Sequence, residues 1–172
     1  MFAHIAQQLD GWWGGVLHPF DGSAPFIAMV AVGMLLGVAA SAGSNPWVGS
    51  IGYMVGLLSG HAIGAAGVRP TGISTVVVAS AVVAAALLLV DPPRIRHSLP
   101  VLALVIGALV GLRLGGHDQR TSGGWFTLGL AFTAVVVLSC TVLLGTQVGR
   151  SVAARRIAAA VASLAAVGIA LS

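Results

Sequence analysis

Apolar residues run through this chain in long blocks, with little alternation between apolar and polar positions. Prolines and charged residues fall at or near the block edges, where the missing N–H of a proline costs least. A membrane-spanning helix needs about 20 mostly apolar residues, and a transmembrane barrel would need regular alternation. The pattern therefore predicts six helices and no strands, at residues 25–42, 46–67, 71–90, 98–115, 124–148 and 151–171.

The segment before the first predicted span has a different pattern. Phe2, Ile5, Leu9 and Trp12 recur at roughly helical spacing, and tryptophan prefers the membrane–water interface. We therefore expect an amphipathic interfacial segment over residues 1–24 and a six-helix transmembrane bundle over residues 25–172. A short seventh membrane element is the alternative. No signal peptide is evident, so the first span directs insertion unless a targeting segment was removed.

Composition narrows the class of protein further. Of the 172 residues, 58% are hydrophobic and only 7% are charged, and the mean hydropathy is +1.03. A soluble domain needs about 25% charged residues to wet its surface, so a soluble globule is excluded, and disorder is excluded by the hydrophobicity. The fold class is an all-α polytopic membrane bundle, with the lipid bilayer as its solvent.

The distribution of arginines among the loops indicates how the chain is oriented in the membrane. Six crossings place both termini on one side, side A, together with the second and fourth loops. Side B holds the other loops and five of the eight arginines, so the positive-inside rule makes side B cytoplasmic. We expect a bacterial inner-membrane protein with both termini on the periplasmic side. The scattered arginines form no basic patch, so no nucleic-acid partner is expected despite the net charge of +4.

Glycines repeat at intervals of four along two of the predicted helices. This spacing aligns them on one helix face, where two backbones can approach closely. The pattern predicts tight helix packing within one bundle, with a dimer seam or a narrow permeation path as alternatives. The residues chosen for this packing role are Gly52, Gly56, Gly60, Gly64, Gly107 and Gly111.

Ionisable side chains are so few that each one is informative. His61 lies inside the second span, and ionisable residues within membranes are costly and usually functional. His18, Asp21, His117 and Asp118 all belong to side A in the predicted topology. Imidazole and carboxylate groups suit a borderline divalent ion such as nickel, cobalt or zinc. They could form a cation entry site; the alternatives are a hydrogen-bonded structural His61 and solvated loop residues.

The sequence gives no support for cysteine-based sites or for catalysis. The single cysteine, Cys140, allows neither an intrachain disulfide nor a cysteine-based metal cluster. The chain has no P-loop, nucleotide fingerprint or nucleophile elbow, and no carboxylate pair is placed for acid–base work. We therefore expect a protein that is not an enzyme.

The stretch 18–33 resembles the opening motif of the HupE/UreJ family. This family comprises small six- to seven-helix membrane proteins, associated with hydrogenase and urease gene clusters and regarded as nickel or cobalt permeases. The resemblance implies that Ni²⁺ or Co²⁺ is the transported ion. The matching residues are His18, Pro19, Gly22, Ala28, Met29, Ala31, Val32 and Gly33.

Two hypotheses follow from this resemblance. The first is a HupE/UreJ-like divalent metal permease whose ion is captured by the side A residues and His61. The second arises because the Asp-His pair of the family corresponds to Ala24-Pro25, and its histidine-rich segment after the fourth helix retains only His117. It is a structural or accessory subunit that keeps the bundle within a larger membrane complex or a homo-oligomer without transporting metal.

Overall fold

A computed structural model describes residues 11–20, 23–90, 92–116 and 123–170. Within these ranges the secondary structure is helical and contains no strands, which confirms the all-α prediction. A 3₁₀ turn at His18–Phe20 links the first two helices. The helices are α1 Gly11–Leu17, α2 Ser23–Ser41, α3 Pro46–Ala65, α4 Ile73–Leu87, α5 Pro92–Ile95, α6 Leu99–Gly115, α7 Gly124–Val148 and α8 Val152–Ala170.

Local sequence signals set several of these boundaries. Pro46 occupies the first turn of α3, and the Asn45 side chain caps it by accepting a 3.0 Å hydrogen bond from the Trp47 amide. Gly72, in the left-handed conformation at φ +78°, precedes α4. The α4 helix ends at Leu87, and the next three residues form bonds to carbonyls three residues back, a tightened last turn that precedes two prolines.

Helix length and composition support some of the predicted spans. Three helices among the described residues, α2, α3 and α7, are long and apolar enough to cross a membrane, whereas the sequence pattern predicted six spans. The apolar helices α4 and α6 have 15 and 17 residues. At 1.5 Å per residue they reach about 22 to 26 Å, less than the roughly 30 Å of a bilayer core. Their strongly apolar composition nevertheless fits a lipid environment.

The closest helix pair is α3 with α6, which meet backbone to backbone. A Cβ atom added to the α3 glycines would collide with carbonyl oxygens of α6, so only glycine permits this approach. Partners on both helices advance in the same chain direction, so the two helices run parallel. The pairs are Gly56 with Leu104, Gly60 with Ala108 and Gly64 with Leu112.

The same interface uses glycines of α6 in return. Gly107, Gly111 and Gly115 face the backbones of Tyr53, Leu57 and His61 on α3. Gly52, at the start of the row, has the Pro100 carbonyl oxygen 2.9 Å from the position of its missing Cβ. The structure thus places all six glycines that were chosen for helix packing in one contact between two helices of the same chain.

A second parallel pair is formed by α2 and α7. Gly37 of α2 packs against Val142 and Gly145, and Gly149, just after α7, packs against Ser41 at the end of α2. Because both pairs are parallel, the N-termini of α2 and α7 share one end of the bundle. The contact of His61 with Phe126 and the hydrogen bond between His18 and Leu114 place the C-termini of α3 and α6 at the same end. We call this end of the bundle the side A end.

The described part of the N-terminal segment packs on the protein. Gly15 of α1 lies against the Phe126 backbone, and Gly129 of α7 lies against the Trp12 backbone. The Thr133 hydroxyl donates a 2.8 Å hydrogen bond to the Val16 carbonyl oxygen. Residues 1–10 and 21–22 of the predicted interfacial segment lie outside the described residues. What is described is a seven-residue helix against the first half of α7.

Candidate functional site at the side A end

His61 is the buried ionisable residue of α3, at 3% exposure. It lies about one turn before the end of the helix, or about 6 Å along its axis. The row of α6 glycines brings Gly115 against the His61 carbonyl. The imidazole stacks on the ring of Phe126 from α7, with ring centroids 5.8 Å apart and planes at 15°.

His18 reaches the same place from the 3₁₀ turn after α1. Its ring meets Phe126 edge-on, with centroids 5.1 Å apart and planes at 67°. Its Nε2 lies 3.1 Å from the carbonyl oxygen of Leu114. A carbonyl oxygen only accepts hydrogen bonds, so Nε2–H of His18 is the donor.

Phe126 is the member of this site that sequence reasoning missed. It is 5% exposed, and both imidazoles contact its ring. In the sequence it is one apolar residue among many at the start of a span, and no spacing rule singles it out. The ring occupies space beside both histidines, so it controls how closely their nitrogens can approach one ion.

Helix ends determine the electrostatics of this end of the bundle. The parallel α3 and α6 both finish here, at Ala65 and Gly115. Amides of the following turns bond several of the last carbonyls, and the aligned peptide dipoles give each helix end a partial negative charge that favours a cation nearby. Leu114 supplies one of these carbonyls to His18. Arg113 lies in the last turn of α6 and adds positive charge at the same end.

The structure brings together two of the five predicted ligands, His18 and His61. Asp21, His117 and Asp118 lie outside the described residues. Over the parts of the chain that the structure covers, no group of three or more His, Cys, Asp or Glu side chains is placed to hold a metal. His97, the remaining described histidine, is exposed beside α5 and accepts a 3.0 Å bond from Arg96 Nε.

Thr141, in the middle of the fifth predicted span, is hydrogen-bonded within its own helix. The Thr141 hydroxyl donates to the carbonyl oxygens of Val137 at 2.7 Å and Leu138 at 3.2 Å. Cys140 is exposed on the helix surface. Neither residue joins the histidine pair.

Comparison with known proteins tests the resemblance found in residues 18–33. A family model described as HupE / UreJ protein matches residues 1–171, nearly the whole chain. No curated protein and no solved structure matches the chain. The extent of the match confirms the resemblance and agrees with the apolar, all-helical architecture. The chain therefore belongs to the HupE/UreJ family of membrane proteins.

Proposed function

We propose that this protein is a permease for a divalent transition-metal ion, nickel or cobalt, which enters at the side A end. Membership of the family supports a role related to metal transport. The observation that carries the proposal is the convergence of His18 and His61 on Phe126. One helix and one turn that are far apart in the chain deliver two imidazoles to one end of a largely apolar bundle.

The chemistry of this end fits such a cargo. Imidazole nitrogens suit nickel, cobalt and zinc, whereas magnesium and calcium prefer oxygen ligands. In the proposal, Asp21, His117 and Asp118 complete the capture set as the sequence suggests. The two helix C-termini add a field that favours cations, which the positive charge of Arg113 in the last turn of α6 partly offsets. The ion is the substrate of the protein, and no resident cofactor is invoked.

The order in which the chain crosses the membrane follows from the two parallel helix pairs. Because α3 and α6 run the same way, the chain must return between them, and α4 with its flanking turns is the segment available. The α2 and α7 pair imposes the same alternation. We therefore propose six crossings, by α2, α3, α4, α6, α7 and α8, with α1 dipping in beside α7. The arginine distribution then places side A outside the bacterial inner membrane.

Ion flux into proteoliposomes tests the proposal directly. Purified protein is reconstituted, and uptake of Ni²⁺ and Co²⁺ is measured for the wild type and for His61→Ala. We expect saturable uptake that falls to the level of empty liposomes in the variant. His97→Gln is the matched control, because it removes an exposed imidazole away from the site while keeping an acceptor for Arg96, and its uptake should equal that of the wild type.

The accessory-subunit hypothesis makes the opposite prediction. A folded wild-type protein that carries neither ion above the empty-liposome level would overturn the permease and favour that hypothesis. The chain should then copurify in fixed stoichiometry with partners from its native membrane in mild detergent. Uptake that survives His61→Ala would keep the permease and remove His61 from the site.

A further inference from the structure

Tyr53 presents an unexplained polar group inside the bundle. Its side chain is 0% exposed, and its hydroxyl has no hydrogen-bond partner among the described residues. A buried hydroxyl without a partner is costly, and a phenylalanine would fill the same space without that cost. We therefore look for a hydrogen-bond partner that reaches the Tyr53 hydroxyl while the protein is working.

The position of Tyr53 connects it to the histidine site. Gly49, Tyr53, Leu57 and His61 recur every four residues along α3 and share one face. The three side chains of this row are all buried. Tyr53 lies about 12 Å from His61 along the helix axis, toward side B. The row therefore runs through the bundle interior, away from the site at the side A end.

The other end of the row opens into a small pocket on side B. Gly49 lines this pocket together with Leu36 of α2, Leu99 of α6, Asn45 and Arg96. Tyr53 lies about one turn from Gly49, which lines the pocket, on the same face of α3. A polar group thus lies between a buried histidine at one end and a pocket at the other.

We propose that the Tyr53 hydroxyl lines the interior route of the ion, hydrogen-bonding to the water that a divalent transition-metal cation carries between His61 and the side B pocket. This inference rests on the proposed permease function and adds a residue and a direction to it. Leu57, fully buried between the two polar residues, closes the route in this conformation.

Transport kinetics give the first test. Tyr53→Phe keeps the ring and removes only the hydroxyl, so its thermal stability should equal or exceed that of the wild type. We expect the maximal Ni²⁺ flux to fall about tenfold, the effect of losing one hydrogen bond in the rate-limiting passage. The half-saturating concentration, which the side A histidines set, should stay unchanged. Unchanged maximal flux would overturn the inference.

A second test does not depend on transport. Tyr53 is the only tyrosine in the chain, so ¹³Cζ-tyrosine labelling gives a single NMR resonance in lipid nanodiscs. Paramagnetic Co²⁺ should broaden this resonance saturably, and diamagnetic Zn²⁺ should not. The matched control is Tyr53→Phe combined with Val55→Tyr, which moves the reporter to a surface position of similar depth that is 53% exposed.

The two reporters separate an ion beside Tyr53 from one that stays at His61. Along the helix axis, an ion held at His61 lies about 12 Å from position 53 and about 9 Å from position 55. It would broaden the control resonance at least as much as the Tyr53 resonance, which would overturn the inference. An ion in the proposed route would broaden the Tyr53 resonance far more than the control.

The readouts also distinguish this inference from the proposed function. Flux without selective broadening keeps the permease and removes Tyr53 from its route. Selective broadening without flux keeps an interior ion site at Tyr53 and removes the permease. The absence of both effects overturns both.

Discussion

The imidazole of His61 stacks on the phenyl ring of Phe126 with the two planes 15° apart. The contact joins α3 to α7. The imidazole of His18 contacts the same phenyl ring edge-on. A stacked aromatic pair in an apolar setting is worth about 0.5 to 1.5 kcal/mol beyond its buried area. Phe126 therefore holds the two histidines in position and excludes water from the space beside them.

Removing the Phe126 ring should open the bundle at side A. We expect Phe126→Ala to admit Mg²⁺ into proteoliposomes, because the cavity replaces the apolar seal beside the histidines. Phe126→Leu, which keeps most of the apolar volume, should remain closed. The control is Phe132→Ala, on the same helix but 52% exposed. A Mg²⁺ flux equal to that of empty liposomes in folded Phe126→Ala would contradict the sealing role.

His18 has structural contacts and a proposed role in ion binding, and one substitution separates the two. His18→Gln keeps an N–H donor for the Leu114 carbonyl but loses the imidazole lone pair. We expect thermal stability close to that of the wild type, and a half-saturating Ni²⁺ concentration raised about tenfold, equivalent to 1.4 kcal/mol of ion binding. Equal ion affinity in a stable variant would show that His18 only positions the chain.

The glycine row between α3 and α6 should tolerate no side chain. Gly111→Ala places a Cβ against the Leu57 carbonyl and the His61 amide, and backbone atoms cannot rotate away. We expect the free energy of unfolding to fall by about 1 to 3 kcal/mol, which is typical of overpacking. The unfolding midpoint in detergent should fall accordingly. Gly168→Ala, in open space on α8, should be neutral or slightly stabilising. Equal midpoints for both variants would argue against backbone contact.

The Thr133–Val16 hydrogen bond ties the N-terminal helix to α7. Thr133→Val preserves the shape of the side chain but removes the hydroxyl donor. The attachment of α1 to α7 should weaken by about 1 kcal/mol. Limited proteolysis after residue 10 should proceed faster than in the wild type. Thr146→Val is the control, because the Thr146 hydroxyl bonds only its own helix at the Leu143 carbonyl. Identical cleavage rates would show that other contacts hold α1.

Thiol labelling tests the proposed orientation. In a Cys140→Ala background, Val68→Cys lies between α3 and α4 on side A, and Ala42→Cys lies between α2 and α3 on side B. An impermeant maleimide added to intact spheroplasts should label Cys at position 68 and spare position 42. The reverse pattern would invert the topology, and labelling of both would contradict the membrane crossing of α3.

Much of the helical framework could be predicted from the sequence, because it depends on local signals. Pro46 with its Asn45 cap fixes the start of α3, and the predicted range 124–148 is the observed extent of α7. Leu88 to Val90 looked helical because they are apolar. The two prolines that follow disfavour a helix in that stretch, so α4 ends earlier.

The candidate site was less predictable, because it depends on which helices meet. His61 stood out as the ionisable group within a span, and His18 through the motif. Nothing local indicates that Phe126 lies between them, since an apolar residue in an apolar span carries no signal of its partner. The glycine spacing predicted close packing but could not say that α6 is the partner of α3, or that the two run parallel.

The parallel pairing of α3 with α6 also has a consequence for biosynthesis. When α3 leaves the ribosome, its glycine face has no partner, because α6 is still to be made. In the proposed topology α4 crosses the membrane in the opposite direction before α6 is inserted, so the tightest contact of the bundle closes late. A chain whose synthesis stops before Leu99 would expose that bare face to the bilayer, where membrane proteases and insertion chaperones could recognise it as unfinished.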